Sequence, residues 1–111
     1  TKEFKSEGNS ITEGIGSSRV TKNFEKALID DAYSIDDTTA LTVLFDLIEK
    51  EGLSLGTSSG INVAGAIKLA QELGPNKTIV TILCDKSDRY QGKLFNKKFL
   101  MEKNLPYPRW L

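Results

Sequence analysis

Residues 51–74 read EGLSLGTSSGINVAGAIKLAQELG, and this stretch carries most of what the chain reveals about its fold. Leu53-Ser54-Leu55 has the makings of a brief strand. The tight run Gly56-Thr57-Ser58-Ser59-Gly60 follows, and a helix is expected from about Ile61 to Leu73, stopped by Gly74-Pro75. Val63, Ala64, Gly65, Ala66, Ile67 and Ala70 make that helix small or apolar on most faces, the pattern of a helix buried between other elements. Downstream, Thr78-Ile79-Val80-Thr81-Ile82-Leu83 is a continuous β-branched and apolar run, as a parallel strand covered on both faces requires. Upstream, Ala32-Tyr33-Ser34-Ile35 suggests a short strand. Asp36 or Asp37 then offers an N-cap, and Leu41, Leu44, Phe45 and Ile48 fall at i, i+3, i+4 and i+7, an amphipathic helix ended by Gly52.

The alternation of strand and helix predicts an α/β fold with βαβ units, parallel strands and right-handed crossovers. Residues 1 to 18 read as loop, with Gly14-Ile15-Gly16 as a permissive pivot. Arg19 to Leu28 has room for a helical turn or two. Beyond Cys84 the chain turns through Asp85 to Tyr90, forms a helical stretch around Leu94 to Lys103, and ends in an extended tail at Pro106-Tyr107-Pro108.

Composition narrows the function classes. The 111 residues, 39% hydrophobic and 27% charged, suit one ordinary globular unit. Lys and Arg number 15, as do Asp and Glu, so the net charge is zero. Nucleic-acid binders carry a basic excess or stripe, and the nearest thing here, Lys97, Lys98 and Lys103 with Glu102 among them, reads as a solvated face. No apolar run approaches the ~20 residues that a membrane-spanning helix needs. A single cysteine, Cys84, rules out an intramolecular disulfide, points to a reducing compartment such as the cytoplasm, and reads as a small buried apolar residue. The absence of histidine removes Ser-His and Cys-His nucleophile pairs and makes a metal site improbable.

In an open α/β sheet, ligands gather beyond the carboxyl ends of the strands near helix N-termini. Gly56 to Gly60 and Cys84 to Tyr90 fall there. Three readings of Gly56 to Gly60 are open: a helix cap from Ser58 or Ser59 on a tight turn, a phosphate cradle, or a serine hydroxyl that meets a heteroatom of a bound ring.

Taken together, residues 51–74, the run TIVTILCDKSDRYQGKLFN at 78–96 and TEGIG at 12–16 resemble the end of cysteine synthase, also called O-acetylserine sulfhydrylase. That is a pyridoxal-phosphate family of the tryptophan synthase β fold type (fold type II), and cystathionine β-synthase shares much of the pattern. The resemblance runs from about Lys5 to Leu111. It implies that residues 1–111 are one carboxy-terminal segment of the large cofactor-binding domain. It also implies that Ser58, with Gly56 and Thr57 beside it, serves the ring nitrogen of pyridoxal 5'-phosphate, and that Gly14, Ile15 and Gly16 line the substrate side of the cleft. A neutral hydroxyl at the ring nitrogen does not hold that nitrogen protonated, which weakens the ring as an electron sink.

In the family, the Schiff-base lysine, the phosphate loop and the substrate-carboxylate loop lie upstream of the region matched here. No lysine of this chain sits in a matching motif, and Lys68, beside Gln71 and Glu72, belongs to an exposed helix edge. The expectation is therefore a segment with no catalytic residue of its own, inactive alone, and a processed, trimmed or excised chain in view of its first residue, Thr1. Its implied partners are the remaining part of the enzyme or a homologous protomer, a homodimer in the complete enzyme, and an amino-acid substrate. A non-catalytic binding or regulatory segment, a cystathionine β-synthase-type enzyme, and a phosphate-binding α/β domain remain as alternatives. One departure from the relatives is Lys86-Ser87-Asp88, where they carry a short glycine-containing turn. Lys86 there either points to solvent or reshapes the pocket.

Overall fold

The computed structural model describes residue 11 and residues 20–111. Five helices are assigned among them: α1 (Lys22–Glu25), α2 (Asp37–Glu51), α3 (Thr57–Leu73), α4 (Gln91–Leu94) and α5 (Lys97–Glu102), with a 3-10 turn at Ser87–Tyr90 before α4.

α2 is where the sequence expects it, and its ends show why. Asp36 is the N-cap, its carboxylate accepting from the Thr39 amide at 2.7 Å. The Thr39 side chain first, and then this bond from its amide, hold the Asp36 carboxyl below its ordinary pKa, since protonation would remove an acceptor. At the other end Gly52 takes φ 68°, a left-handed conformation that costs a residue without a side chain little, and its amide returns to Ile48 O.

α2 buries Ala40, Leu41, Leu44 and Phe45. Leu41, Leu44 and Phe45 join Ile11, Leu55, Leu94 and Leu100 in the core. α3 crosses α2 at Gly60: a methyl group there would lie 2.6 Å from Leu44 Cγ and 2.8 Å from the Ala40 carbonyl oxygen. The helices approach this closely because position 60 has no side chain. The chain end returns to the same core, with Trp110 edge-on to Phe45 at 6.2 Å between ring centres.

Several expectations change. α3 begins at Thr57, four residues before the expected start, and it buries a single stripe (Thr57, Ser59, Gly60 and Ala64) while Ile67 and Leu73 face outward. The helical stretch expected around Leu94 to Lys103 is α5, Lys97–Glu102, which starts afresh after α4 ends at Leu94 because the Asn96 side chain accepts from the Phe99 amide at 3.1 Å. Residues 32–35 form no strand.

The parallel sheet is not formed among the described residues. The pairing seen there is one isolated antiparallel bridge, Leu55 to Lys86, and residues 78–83 have no ladder partner. A strand exists only when another strand supplies its hydrogen bonds, so an apolar run read from sequence is a strand in waiting. The side chains bear this out: Val80 is 87% and Ile82 70% exposed. The Cα radius of gyration, 15.0 Å, exceeds the roughly 13 Å of a closed domain of this length. Cys84, expected to be buried, is exposed, because it closes this uncovered run.

Candidate functional site

The run Gly56 to Gly60 is the N-terminus of α3, and it is stitched to the segment 84–90. The Gly56 amide donates to Asp85 O at 3.0 Å, and the Ser87 amide donates to Ser54 O at 3.2 Å. The Ser54 and Ser87 hydroxyls meet at 2.6 Å. Ser59 Oγ accepts from the Cys84 amide at 3.0 Å. The Tyr90 hydroxyl donates to Asp85 Oδ2 at 2.7 Å, and the carboxylate and ring edge close over Gly56, where a methyl group would collide with both. The two segments that sequence reasoning placed at the ligand end of the fold are therefore side by side.

Within this seam the hydroxyl-bearing residues separate. Ser59 is fully buried and committed to Cys84, and Thr57 is 2% exposed. Ser58 is half-buried, and its hydroxyl has no hydrogen-bond partner among the described residues. The N-cap of α3 is Gly56 and no side chain caps the helix, so the capping role open to Ser58 or Ser59 is not taken by either. A helix start without a cap leaves amides unpaired. The Thr57 hydroxyl oxygen is also buried without a partner. Together these groups suit an acceptor atom of a bound ring: a free hydroxyl of intermediate exposure, orphaned amides and an unsatisfied oxygen beside it.

Gly14, Ile15 and Gly16 lie outside the described residues. Lys86 is exposed at the isolated bridge, and Lys68 is exposed on α3 with its ammonium 5.1 Å from the centre of the Tyr33 ring. The concavity lined by Lys22, Asn23, Glu25 and Lys26 contains none of the candidate residues. Among the described residues no cluster of His, Cys, Asp and Glu could hold a metal ion, and no helix is long and apolar enough to cross a membrane. Sequence reasoning missed the Asp85–Tyr90 pair. The signal was an acid five residues before a tyrosine, which means nothing until the 3-10 turn between them is known.

Comparison with known proteins settles the class. The profile of the family described as "Pyridoxal-phosphate dependent enzyme" matches residues 1–85, so the chain belongs to the pyridoxal-phosphate dependent enzymes. Within that class it is similar to cysteine synthases. It is 43% identical over 100 residues to Cysteine synthase 1 of Neurospora crassa, covering 88% of this chain and 27% of that protein. It is likewise 43% identical over 99 residues to Cysteine synthase 2 of Schizosaccharomyces pombe, covering 87% and 25%. The O-acetylserine dependent cystathionine beta-synthase of Bacillus subtilis is 37% identical over 82 residues, covering 74% of this chain and 27% of that protein. The chain thus spans about a quarter of the length of the curated relatives it matches, and the matched portion is their carboxy-terminal part.

Proposed function

We propose that the chain is the carboxy-terminal segment of the cofactor-binding domain of a cysteine synthase, which exchanges the acetate of O-acetylserine for a sulfur nucleophile. The observation that carries the reading is the separation of three adjacent hydroxyls: Thr57 and Ser59 are buried, and Ser58 between them keeps a free hydroxyl of intermediate exposure at an uncapped helix start.

Pyridoxal phosphate, when bound, supplies an electron sink for loss of the β-substituent of an amino-acid substrate. In this reading Ser58 offers its hydroxyl proton to the ring nitrogen. As a neutral donor it orients the ring without keeping that nitrogen charged. Ser59 holds the 84–90 segment against the helix start, and Gly56 lets that segment approach. Gly14, Ile15 and Gly16 belong to the substrate side of the same cleft. The lysine that bears the cofactor comes from the rest of the enzyme, so this segment alone has no sulfhydrylase activity. The rest of the enzyme also covers residues 78–83 as part of a parallel sheet, and the complete protein is a cytoplasmic homodimer.

The Bacillus subtilis relative, an O-acetylserine dependent cystathionine beta-synthase, supports a second reading, in which the product is cystathionine. The two readings share Ser58 and differ only in the sulfur nucleophile.

The test is substitution in the complete enzyme. Ser58→Ala should weaken cofactor retention modestly, and Ser58→Asp should shift the cofactor's visible absorbance and depress turnover, because a carboxylate favours a protonated ring nitrogen. Wild-type spectra and kinetics for both variants would refute the assignment.

A further inference from the structure

The Asp85–Tyr90 pair is not explained by packing alone. One carboxylate oxygen, Oδ2, accepts from the Tyr90 hydroxyl at 2.7 Å, while the other, Oδ1, is buried without a partner and lies against Gly56. Leaving a buried charged oxygen unpaired is costly, and water would satisfy it if the side chain rotated outward. Something must keep it there, and the Tyr90 hydroxyl is the group placed to do so. The consequence falls on Gly56, the N-cap of α3, which sits between the carboxylate and the Tyr90 ring, 2.7 Å from that ring's Cε2 to the place a methyl group would occupy.

We propose that Asp85 and Tyr90 are positioning residues: their hydrogen bond closes over Gly56 and fixes the first turn of α3, and with it the place of the Ser58 hydroxyl. The proposal rests on the assignment of Ser58 to the ring nitrogen. The backbone bonds from Gly56 to Asp85 and from Ser87 to Ser54 set how near the two segments come. The side-chain pair sets how far the helix start can rotate once they are there. Ser58 is two residues past the clamped glycine, so a small rotation at Gly56 redirects its hydroxyl.

The experiment compares Tyr90→Phe, Asp85→Ala and Asp85→Asn in the complete enzyme. Tyr90→Phe removes only the hydroxyl, and Asp85→Asn keeps an acceptor for it. Amide hydrogen exchange of residues 60–62, the first amides of α3 with helical acceptors (Gly60 to Gly56 O, then onward), is read in the cofactor-free protein, and pyridoxal phosphate affinity and absorbance are read by titration. Tyr90→Phe and Asp85→Ala should accelerate exchange at 60–62 up to about tenfold, the weight of one hydrogen bond. They should also weaken the cofactor several-fold, while Asp85→Asn restores both within about twofold and α2 amides exchange as before. Exchange at 60–62 unchanged in Tyr90→Phe overturns the proposal. So does equal acceleration throughout α2 and α3, the mark of a merely structural bond, or failure of Asp85→Asn to rescue. Ser58→Ala separates the two readings. If it is silent while Tyr90→Phe still loosens the turn, the role of Ser58 fails and the clamp survives. If it weakens the cofactor while Tyr90→Phe changes nothing, the clamp alone fails.

Discussion

Ser59 and Cys84, 25 residues apart, are joined by a hydrogen bond of 3.0 Å from the Cys84 amide to the Ser59 hydroxyl oxygen. The serine is fully buried and the bond part-buried, and it ties the start of α3 to the end of the exposed 78–83 run. Removing the acceptor leaves the Cys84 amide unpaired against the helix. Ser59→Ala should cost about 1–3 kcal/mol of stability in the complete enzyme. Denaturant unfolding measures the loss, and amide exchange should localise it to residue 84 and its neighbours. A change below about 0.5 kcal/mol with unchanged exchange would show that the bond contributes nothing.

Gly60→Ala should destabilise by about 1–3 kcal/mol through overpacking. The added methyl group meets Leu44 Cγ at 2.6 Å and the Ala40 carbonyl at 2.8 Å. Trimming Leu44 as well should not recover the loss, because the backbone oxygen cannot step aside and Leu44→Ala opens a cavity of its own. Thermal melts of the two single variants and the double variant check this, and full rescue by the double would contradict a close crossing of α2 and α3 at this glycine.

The Asp36 cap links α2 to pH. Its acidity is strengthened by the Thr39 bonds, first the side-chain bond and then the backbone one, with slight burial opposing them. A carboxyl whose folded pKa lies below its unfolded value stabilises fully above the unfolded value, near 3.8, and loses that contribution as pH falls through the folded value. Asp36→Ala should cost about 1 kcal/mol at neutral pH. The difference from wild type should vanish in strong acid. A difference that grows on acidification would mean that the cap acts with the opposite sign.

The exposed run is a prediction about association. Val80, Ile82 and Leu83 are all substantially exposed, and each such side chain left uncovered forgoes roughly 1.5–3 kcal/mol of burial. The isolated 111-residue chain should therefore associate, and Val80→Lys with Ile82→Lys should suppress it. Sedimentation velocity across a dilution series decides. A dilution-stable monomer with a cooperative melt would mean that the run needs no cover.

Local signals were enough for α2. Asp36, the spacing of Leu41, Leu44, Phe45 and Ile48, and Gly52 act within a few residues of one another, so both ends of that helix can be read along the chain. The family was legible for a related reason: the motifs at 12–16, 51–74 and 78–96 are linear patterns, and their order and spacing survive without a structure. The roles of the adjacent hydroxyls at 57–59 were not legible. Thr57, Ser58 and Ser59 have similar polarity, and which is buried depends on where residues 84–90 come to lie. The exposure of Cys84 and the Asp85–Tyr90 clamp over Gly56 also belong to tertiary structure. A hydrogen bond between distant residues is decided by chain closure, and no periodicity along the sequence encodes it. The same holds for residues 78–83: their composition marks them for a strand, and only a neighbouring strand can make them one.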